Sequence, residues 1–330
     1  MNPGQDDPVL SALNRFFAVF PSGPLGAEEI GLIECRGRVL TVNINAAINS
    51  PNFSRALVEG FLVNVADIES AGDNNPVELN IKGTIDVGKT FDGVISTGSC
   101  MEVFTGSFIP DGPYAVVRYM DITRTGGSIR ITRSFNKGDN IEATGCEIKK
   151  GDIILKGGTR ISPKEIMTLA GQGILSVKVT KKPEVAVFCS GNEIIPPSEQ
   201  LRPGYVWDAN SYTLLAQIEE YGGIPLFNGV IKDDLNAFKT ALINGLSRAD
   251  MAVISGGTAI GGKEFIAELI NSSGKPGVVV NGVPMRSGKP LIMGVIDKKP
   301  IVCVAGYPPE SLRGFDLFGK PTIERLLGIV

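Results

Sequence analysis

The stretch Met251-Ala-Val-Ile-Ser-Gly-Gly-Thr-Ala-Ile-Gly-Gly-Lys-Glu-Phe265 joins an apolar run to a glycine-rich loop. The uninterrupted apolar residues at its start predict a strand buried on both faces of a sheet. Gly257 to Lys263 also matches G-x-x-x-x-G-K, the first seven positions of a P-loop, but Glu264 stands where that motif needs Ser or Thr for Mg²⁺. We therefore reject a P-loop and expect an anion site made of backbone N–H groups and a helix start. The alternative is a turn needed only for packing.

Apolar runs alternate with amphipathic helical segments through the C-terminal half of the chain. This alternation predicts a parallel sheet with helices on both faces, a three-layer α/β domain. Ligands of such sheets bind beyond the carboxyl ends of the strands, where loops start at Ser190, Ser255 and Ala305. The predicted strands cover 185–189, 225–227, 251–254, 278–280, 291–295 and 301–304, and the predicted helices cover 210–221, 235–246, 265–270 and 312–327, the last with a kink or break at Pro321.

The N-terminal half has a different pattern. Short β-rich runs separated by Gly, Asn, Asp and Pro predict a small β domain. Helical segments are predicted at 10–20, 27–40 and 162–171. The predicted organisation is a discontinuous helical/β linker domain (1–44 and 143–182), an inserted β domain (45–142) and the α/β domain (183–330).

Composition excludes several classes of function. The net charge of −3 and the absence of a Lys/Arg run argue against nucleic-acid binding, and no apolar run is long enough to cross a membrane. The acidic start without an apolar core predicts no signal peptide. Five cysteines without C-x-x-C spacing suit reduced thiols in the cytoplasm, with Cys189 and Cys303 as buried small apolar residues.

The sequence contains no histidine. This excludes Ser-His-Asp and Cys-His catalysis as well as His-ligated metals. Acid–base or metal chemistry must use carboxylates, lysines, tyrosines and hydroxyls, which favour hard cations such as Mg²⁺.

A series of motifs in the α/β part resembles the MoeA family of molybdenum-insertion enzymes. Ser190-Gly-Asn-Glu-Ile194 is similar to the family's T-G-D-E-L, and Asp208-Ala-Asn-Ser-Tyr212 is similar to D-S-N-S-Y. Ser255 to Phe265 resembles S-G-G-V-S-V-G-D-Y-D-F, Met285 to Pro290 resembles M-K-P-G-K-P, and Ala305-Gly-Tyr-Pro308 resembles P-G-N-P.

Motifs upstream follow in the family's order. Val58-Glu-Gly-Phe-Leu62 is similar to M-D-G-Y-A, and Thr105 to Gly112 is similar to T-G-A-P-L-P-x-G. Ile148 to Asp152 reads I-K-K-G-D, and G-T-R follows at Gly158 to Arg160, both as in the family. The resemblance therefore covers most of the chain.

The resemblance implies a homodimer whose active cleft lies between the α/β domain of one subunit and the β domain of the other. It implies adenylylated molybdopterin from a molybdopterin-adenylylating enzyme as substrate, molybdate or tungstate, Mg²⁺, and release of AMP. Family members carry a further C-terminal β domain, which we expect this protein to lack.

The resemblance also implies roles for individual residues. Glu264, Glu59 and Thr105 are the expected catalytic residues, and Glu264 and Glu193 are the expected Mg²⁺ ligands. Lys289 is the expected phosphate contact, whereas Trp207 and Tyr212 are expected to be packing residues. The predicted substrate-binding residues are Ser190, Gly191, Glu193, Asp208, Ser255, Gly256, Gly257, Gly261, Ser287, Lys289, Pro290 and Gly306.

Departures from the family pattern leave other functions open. Asn192 and Gly262 stand at family Asp positions, and Ala305 and Tyr307 replace the first Pro and the Asn of P-G-N-P. One alternative is a non-catalytic molybdopterin or nucleotide carrier, or a regulatory protein. Another is a hydrolase or nucleotidyl transferase built on the same α/β domain.

Overall fold

The computed structural model describes residues 7–20, 23–257, 262–284 and 291–329. The strands within these residues are β1 (Ala27–Gly31), β2 (Ile44–Asn45), β3 (Arg55–Ala56), β4 (Gly60–Asn64), β5 (Val77–Ile85), β6 (Ser99–Val103), β7 (Tyr114–Arg118), β8 (Ile122–Thr125), β9 (Ser128–Ile131), β10 (Ile141–Glu142), β11 (Ile153–Leu155), β12 (Ser176–Thr180), β13 (Glu184–Ser190), β14 (Ile194–Ile195), β15 (Val206–Trp207), β16 (Ile224–Ile231), β17 (Met251–Ser255), β18 (Pro276–Asn281), β19 (Ile292–Ile296) and β20 (Lys299–Val304).

The helices of the same residues are α1 (Pro8–Val19), α2 (Pro163–Gly171), α3 (Asn210–Tyr221), α4 (Leu235–Arg248), α5 (Gly262–Ser273), α6 (Pro308–Gly314) and α7 (Lys320–Leu327). A π-helical turn, Phe315–Gly319, joins α6 to α7. The chain is helical across the predicted 312–327, but its irregularity is this π-helical turn and not a break at Pro321. Pro321 lies in the first turn of α7, where a missing N–H breaks no helical hydrogen bond.

The chain forms two compact units. The α/β unit contains Met1–Val42, Lys156–Ile166 and Leu175–Val330, and the β unit contains Asn43–Leu155 and Met167–Ile174.

The sheet of the α/β unit has the strand order β16-β13-β17-β20-β19-β18. The first four strands are parallel, whereas β19 and β18 are antiparallel to their neighbours. The prediction of a wholly parallel sheet is therefore wrong for β19 and β18, at one edge of the sheet. Asp297 and Lys298 both have positive φ, as a two-residue type I′ hairpin requires, and they reverse the chain between β19 and β20.

The central strands of this sheet are buried on both faces. In β13, Val185 and Val187 pack on the side of α1, α3 and α7, whereas Ala186 and Phe188 pack on the side of α4 and α5. The side chains of β17 and β20 alternate in the same way. Apolar runs without polar alternation therefore form the middle of a three-layer α/β structure, as predicted.

Helix α3 is held at its C-terminal end. Gly222 adopts a left-handed conformation with φ +96° and caps the helix. The guanidinium of Arg160 donates a 3.1 Å hydrogen bond to the carbonyl oxygen of Tyr221. Since the last carbonyls of a helix lack intrahelical donors, Arg160 stabilises this end of α3.

The helical prediction for 27–40 is wrong. Residues Ala27–Gly31 form β1, which pairs antiparallel with β12, and only a short 3₁₀ turn follows at Leu32–Glu34. The segment between Gly26 and Gly31 is too short for a stable helix. Its pairing partner, β12, lies far along the sequence.

The β unit has a mixed six-stranded sheet in the order β7-β4-β6-β5-β9-β8. Two apolar clusters, one containing Phe61 and Ile129 and the other Leu62 and Val116, cover its two faces. The predicted β-rich runs therefore do form strands. No helix among the described residues has the length and apolarity needed to span a membrane.

Candidate functional site

Three strand ends of the α/β unit meet at one edge of its sheet. Strands β13, β17 and β20 are parallel and end at Ser190, Ser255 and Val304. The loops that follow them include Gly191, Gly256, Gly257 and Gly306. The edge predicted for the ligand therefore does bring together loops from separate parts of the sequence.

Hydrogen bonds from Asn210 connect these loops. Its side-chain amide Nδ2 donates to Ser255 Oγ and to the carbonyl oxygen of Gly306, each over 2.7 Å. The Ser255 hydroxyl in turn donates to the carbonyl of Ala305 over 3.3 Å, and Ser255 is fully buried. Helix α3 thus begins with a side chain that fixes two loops relative to each other. Asn210 was absent from the predicted site, although it is the Asn of the D-A-N motif.

Gly256 allows the first and second loops to touch. Its φ is +105°, and an added Cβ would lie 2.5 Å from the carbonyl oxygen of Ser190. Any larger residue would separate the β13 and β17 loops. Gly306 lies on the other side of Gly256, where an added Cβ would make only an ordinary contact of 3.5 Å with Gly256 Cα. Gly256, which is predicted to bind substrate, thus also brings the two backbones together.

Asp208 is buried at the start of α3, with 3% of its surface exposed. Its Oδ1 accepts a 3.0 Å hydrogen bond from the backbone N–H of Ser211. Its Oδ2 is buried without an N–H or O–H partner among the described residues. The side chain is therefore a helix-capping group whose second oxygen is enclosed by protein atoms beside the Cys189 thiol.

The thiol of Cys189 lies beside Asp208. Burial raises the pKa of this thiol, and the negative charge of Asp208 raises it further. Cys189 therefore stays protonated at neutral pH, so it is not a nucleophile. Burial also raises the pKa of Cys303, and both residues are buried apolar side chains, as predicted.

Asp233 is a site residue that the sequence analysis missed. The Ser190 hydroxyl donates to Asp233 Oδ1 over 2.7 Å, and Asn192 Nδ2 donates to Oδ2 over 3.4 Å. Its neighbour Asp234 caps α4 by accepting from the N–H of Ala237. The sequence alone does not distinguish Asp234, which caps the helix, from Asp233, which bonds to Ser190. Asn192, which replaces a family acid, is a donor to a carboxylate here.

Two cavities flank Asp208. The Trp207 pocket, of about 310 Å³, is lined by Cys189, Trp207, Asp208, Asn210, Gly306 and Tyr307 among others. The Tyr212 pocket, of about 390 Å³, is lined by Asp208, Arg202, Tyr205, Tyr212, Phe227 and Lys232 among others. Trp207 is 48% exposed and Tyr212 is 55% exposed, so neither ring is packed in the core, although the Tyr212 ring does pack against Phe227. Trp207 lies in β15 and Tyr212 in the first turn of α3, and the two rings border the two cavities.

The expected metal ligands are exposed. Glu193 lies in the turn after β13, and Glu264 lies in the first turn of α5. Among the described residues, no group of three or more Asp, Glu, His or Cys side chains could hold a metal ion. The predicted residues Gly261, Ser287, Lys289 and Pro290 lie outside the described residues.

Glu59 and Thr105, the expected catalytic residues of the β unit, lie at the same edge of its six-stranded sheet. Glu59 immediately precedes β4, and Thr105 follows the end of β6, which pairs antiparallel with β4. Backbone hydrogen bonds between the two loops join Ala56 to Gly106 and Ser107. An added Cβ on Gly60 would lie 2.0 Å from the Val117 carbonyl oxygen, so Gly60 permits close pairing of β4 with β7.

A polar cluster lies near Glu59 in the same unit. The Tyr119 hydroxyl donates to Glu102 Oε1 over 2.8 Å, and Arg124 donates to the same oxygen over 3.1 Å. Burial raises the pKa of Tyr119 to about 12, and the hydrogen bond to Glu102 and the nearby charges of Glu102 and Glu59 act in the same direction. The phenol is therefore protonated at neutral pH. The sequence showed no signal for this cluster.

Comparisons with known proteins cover both units. Residues 8–173 match the family described as MoeA N-terminal region (domain I and II), and residues 186–325 match the probable molybdopterin binding domain. A molybdopterin molybdenumtransferase of Bacillus subtilis (strain 168) is 31% identical over 305 residues, which cover 91% of this chain and 70% of the relative. That of Staphylococcus aureus (strain COL) is 29% identical over 321 residues, which cover 97% of this chain and 76% of the relative.

A solved structure, the molybdopterin biosynthesis MoeA protein from Pyrococcus horikosii, matches with a TM-score of 0.83 and 34% identity. The match covers 98% of this chain and 81% of that one. Both halves of the sequence and the fold thus match the same group of proteins. The chain therefore belongs to the MoeA family, the molybdopterin molybdenumtransferases.

Proposed function

We propose that the protein is an enzyme that inserts molybdate or tungstate into adenylylated molybdopterin with release of AMP, in a Mg²⁺-dependent reaction. Membership of the MoeA family makes it a transferase of molybdenum cofactor biosynthesis. The observation that supports the finer proposal is the pair of loops that Asn210 fixes relative to each other, at the sheet edge where Gly191, Gly256 and Gly306 lie. A fixed, partly buried polar edge of this kind orients a substrate before it reacts.

The α/β unit binds the substrate in this proposal. Backbone N–H groups of the glycine-rich loops after β13, β17 and β20 bind phosphate oxygens, as at other strand-to-helix turns. Gly261, Ser287, Lys289 and Pro290 remain predictions of the same kind, with Lys289 as the cation for phosphate.

Mg²⁺ fits the described residues only as an ion shared with the substrate. They contain no three-ligand cluster, which argues against a site built from protein groups alone. Mg²⁺ commonly uses one or two carboxylates together with substrate phosphates and waters, and exposed Glu193 and Glu264 suit that role. When bound, the ion would neutralise charge on the phosphates.

Glu59 and Thr105 are the proposed catalytic groups of the β unit. Both side chains are exposed at one edge of the unit, and no hydrogen bond or ion pair to either side chain is formed within the described residues. A carboxylate and a hydroxyl in this state are available to a reacting group. A homodimer, the four-segment domain division, a cytoplasmic location and a molybdopterin-adenylylating enzyme as the supplier of substrate remain proposals from the resemblance.

One incubation tests the function. The protein is mixed with adenylylated molybdopterin, Mg²⁺ and either molybdate or tungstate, and both AMP and metal bound to the pterin product are measured. Release of AMP together with metal insertion supports the proposal. AMP release that is independent of the oxyanion would contradict insertion and favour a hydrolase.

A carrier without insertion activity is the second candidate. The observation in its favour is Asn192, whose neutral amide donates to Asp233 at a position where the family has an acid. In the same incubation, a carrier binds adenylylated molybdopterin tightly but releases no AMP.

A further inference from the structure

Thr105, a proposed catalytic residue of the β unit, lies in a tight turn after β6. The N–H of Ser107 donates to the carbonyl oxygen of Phe104 over 2.9 Å and closes a four-residue β-turn. Gly106, the third residue of this turn, has φ +88°, as a type II turn requires. Thr105 is the second residue, so the conformation of the turn determines where its hydroxyl points.

The hydroxyl of Ser107 holds this turn from inside the β unit. Ser107 is fully buried, and its Oγ accepts a 2.9 Å hydrogen bond from the N–H of Phe104, the residue before Thr105. The same hydroxyl donates to the carbonyl oxygen of Ile85, at the end of β5, over 2.7 Å. Its proton and a lone pair are both used, and both partners are backbone groups. One side chain therefore links the Thr105 turn to a neighbouring strand.

The backbone of Ser107 connects the turn to the segment that leads to Glu59. Its carbonyl oxygen accepts from the N–H of Ala56 over 3.0 Å, and the Ala56 carbonyl oxygen accepts from the N–H of Gly106 over 2.8 Å. These bonds involve no side chain, so alanine at position 107 can keep them. The hydroxyl is thus the part of Ser107 that a substitution can remove alone.

Two departures from the family pattern meet in this turn. The sequence resembles T-G-A-P here, but Ser107 stands at the position of the Ala and Phe108 at that of the Pro. A proline fixes its own φ and restricts the residue before it to extended conformations. Phe108 imposes no such restriction. Relative to the pattern, the chain therefore lacks one constraint on the end of the turn and has another in the Ser107 hydroxyl.

We propose that the Ser107 hydroxyl takes the place of this proline and positions Thr105 for reaction. Ser107 is buried, so it touches no substrate and acts only through the turn that carries Thr105. A catalytic group displaced by as little as about 1 Å loses much of its effect on the rate. The inference rests on the proposed function, in which Thr105 is a catalytic group.

Ser107→Ala removes the hydroxyl and tests its role. Excess protein is mixed with adenylylated molybdopterin, Mg²⁺ and molybdate or tungstate, and AMP release is followed through a single turnover. The rate at saturating substrate should fall about tenfold, whereas the half-saturating concentration should change less than about twofold, because Thr105 acts on the reaction and not on binding. Urea denaturation establishes that the variant is folded under the assay conditions.

Two further variants support this measurement. Ser107→Cys keeps a similar size with a weakly hydrogen-bonding thiol, so it should fold and turn over at a rate between those of Ser107→Ala and the wild type. Ser128→Ala is the matched control, since the Ser128 hydroxyl bonds to Glu78 and to the carbonyl oxygen of Thr125 at the hairpin between β8 and β9. This control should release AMP as fast as the wild type does.

A double variant tests the exchange with proline. Ser107→Ala combined with Phe108→Pro restores T-G-A-P, and AMP release should recover to within about twofold of the wild type. The N–H of Phe108 donates no backbone hydrogen bond within the described residues, so the proline breaks none. A folded double variant that stays as slow as Ser107→Ala would overturn the exchange.

The Thr105→Ala background separates positioning from folding. If the hydroxyl acts through Thr105, adding Ser107→Ala to Thr105→Ala should slow AMP release by less than about twofold further. A further tenfold loss would show that Ser107 acts on the β unit as a whole, and would overturn the inference.

The wild-type protein separates this inference from the proposed function. If it releases no AMP with either oxyanion, the proposed function fails, and this inference fails with it. If the wild type turns over and folded Ser107→Ala does so at the same rate, the inference is wrong while the function stands.

Discussion

The edges of the two six-stranded sheets are fixed in different ways. In the α/β unit, side chains hold the loops, because Asn210 bonds to Ser255 and Gly306. In the β unit, backbone contacts hold the edge, where Gly60 lies against Val117 and the flanking loops share backbone hydrogen bonds. Glu59 there is exposed and forms no hydrogen bond or ion pair within the described part of the chain.

This difference suits different tasks. Loops linked through side chains keep a binding surface in one shape before the ligand arrives, which lowers the entropy lost on binding. Side chains carried on a rigid backbone, but without partners of their own, are available to a reacting group. The comparison predicts that substitutions will separate into effects on folding and effects on turnover.

The largest effect is expected for Gly60→Ala. Because the new methyl group would lie 2.0 Å from a backbone oxygen, β4 and β7 could not pair as they do. We expect a loss of more than about 4 kcal/mol in the free energy of unfolding, measured by urea denaturation. Gly127→Ala, in the same unit with open space around its added methyl group, is the control. A small effect at Gly60 would show that backbone contact does not fix this edge.

Asn210→Asp tests the side-chain links of the other edge. A carboxylate oxygen would face the carbonyl of Gly306, and both amide donors would be lost. The free energy of unfolding should fall by about 3 kcal/mol, and AMP binding should weaken as well. Asn244→Asp, on the exposed face of α4, should leave both unchanged. If Asn210→Asp were as stable as the wild type, the loops would have to be held by other contacts.

Glu59→Gln tests the unpartnered side chains. Because Glu59 is exposed, unfolding should change by less than about 0.5 kcal/mol, whereas AMP release in the insertion assay should slow about tenfold to a hundredfold. Glu69→Gln, also exposed in the β unit, is expected to turn over normally. Normal turnover by Glu59→Gln would remove this residue from the mechanism.

Tyr119→Phe should have the smallest effect, of about 1 kcal/mol on stability at pH 8, because one hydrogen bond to Glu102 is lost. The pKa of Tyr119 in the folded protein is raised to about 12, above the ordinary tyrosine value of about 10 in the unfolded chain. The contribution of Tyr119 to the free energy of unfolding is therefore complete below about pH 10 and is lost as the pH rises towards about 12.

The difference between wild type and Tyr119→Phe should therefore shrink between pH 9 and pH 11.5, measured by urea denaturation at each pH. Tyr205→Phe is the matched control, since both tyrosines are 37% exposed and the hydroxyl of Tyr205 donates no hydrogen bond within the described residues. A difference that stays constant with pH would show that Tyr119 does not titrate as stated.

The sequence predicted best what depends on local pattern. The helix 210–221 has its predicted limits, because polar residues precede it and Gly222 can adopt the left-handed cap. Strands β13, β17 and β20 were visible as apolar runs because both of their faces are buried. The motifs that start at Ser190, Asp208, Ser255 and Ala305 were recognisable because each lies next to an end of such an element.

What the sequence could not show depends on contacts between distant residues. Strand β1 exists because β12 pairs with it from residues 176 to 180, and its own residues favour no strand strongly. Asp233 reaches Ser190 across 43 positions, and Asn210 reaches Gly306 across 96. The roles of Glu264, Glu193 and the other predicted ligands remain predictions, since side-chain chemistry alone does not place a substrate.

Helix α3 is attached at both of its ends. Asn210 fixes its first residue to two loops, and Arg160 holds its last carbonyl. Twelve residues of α-helix form a rod of about 18 Å. In mechanical terms α3 is a strut between the loops at the sheet edge and Arg160 at its far end.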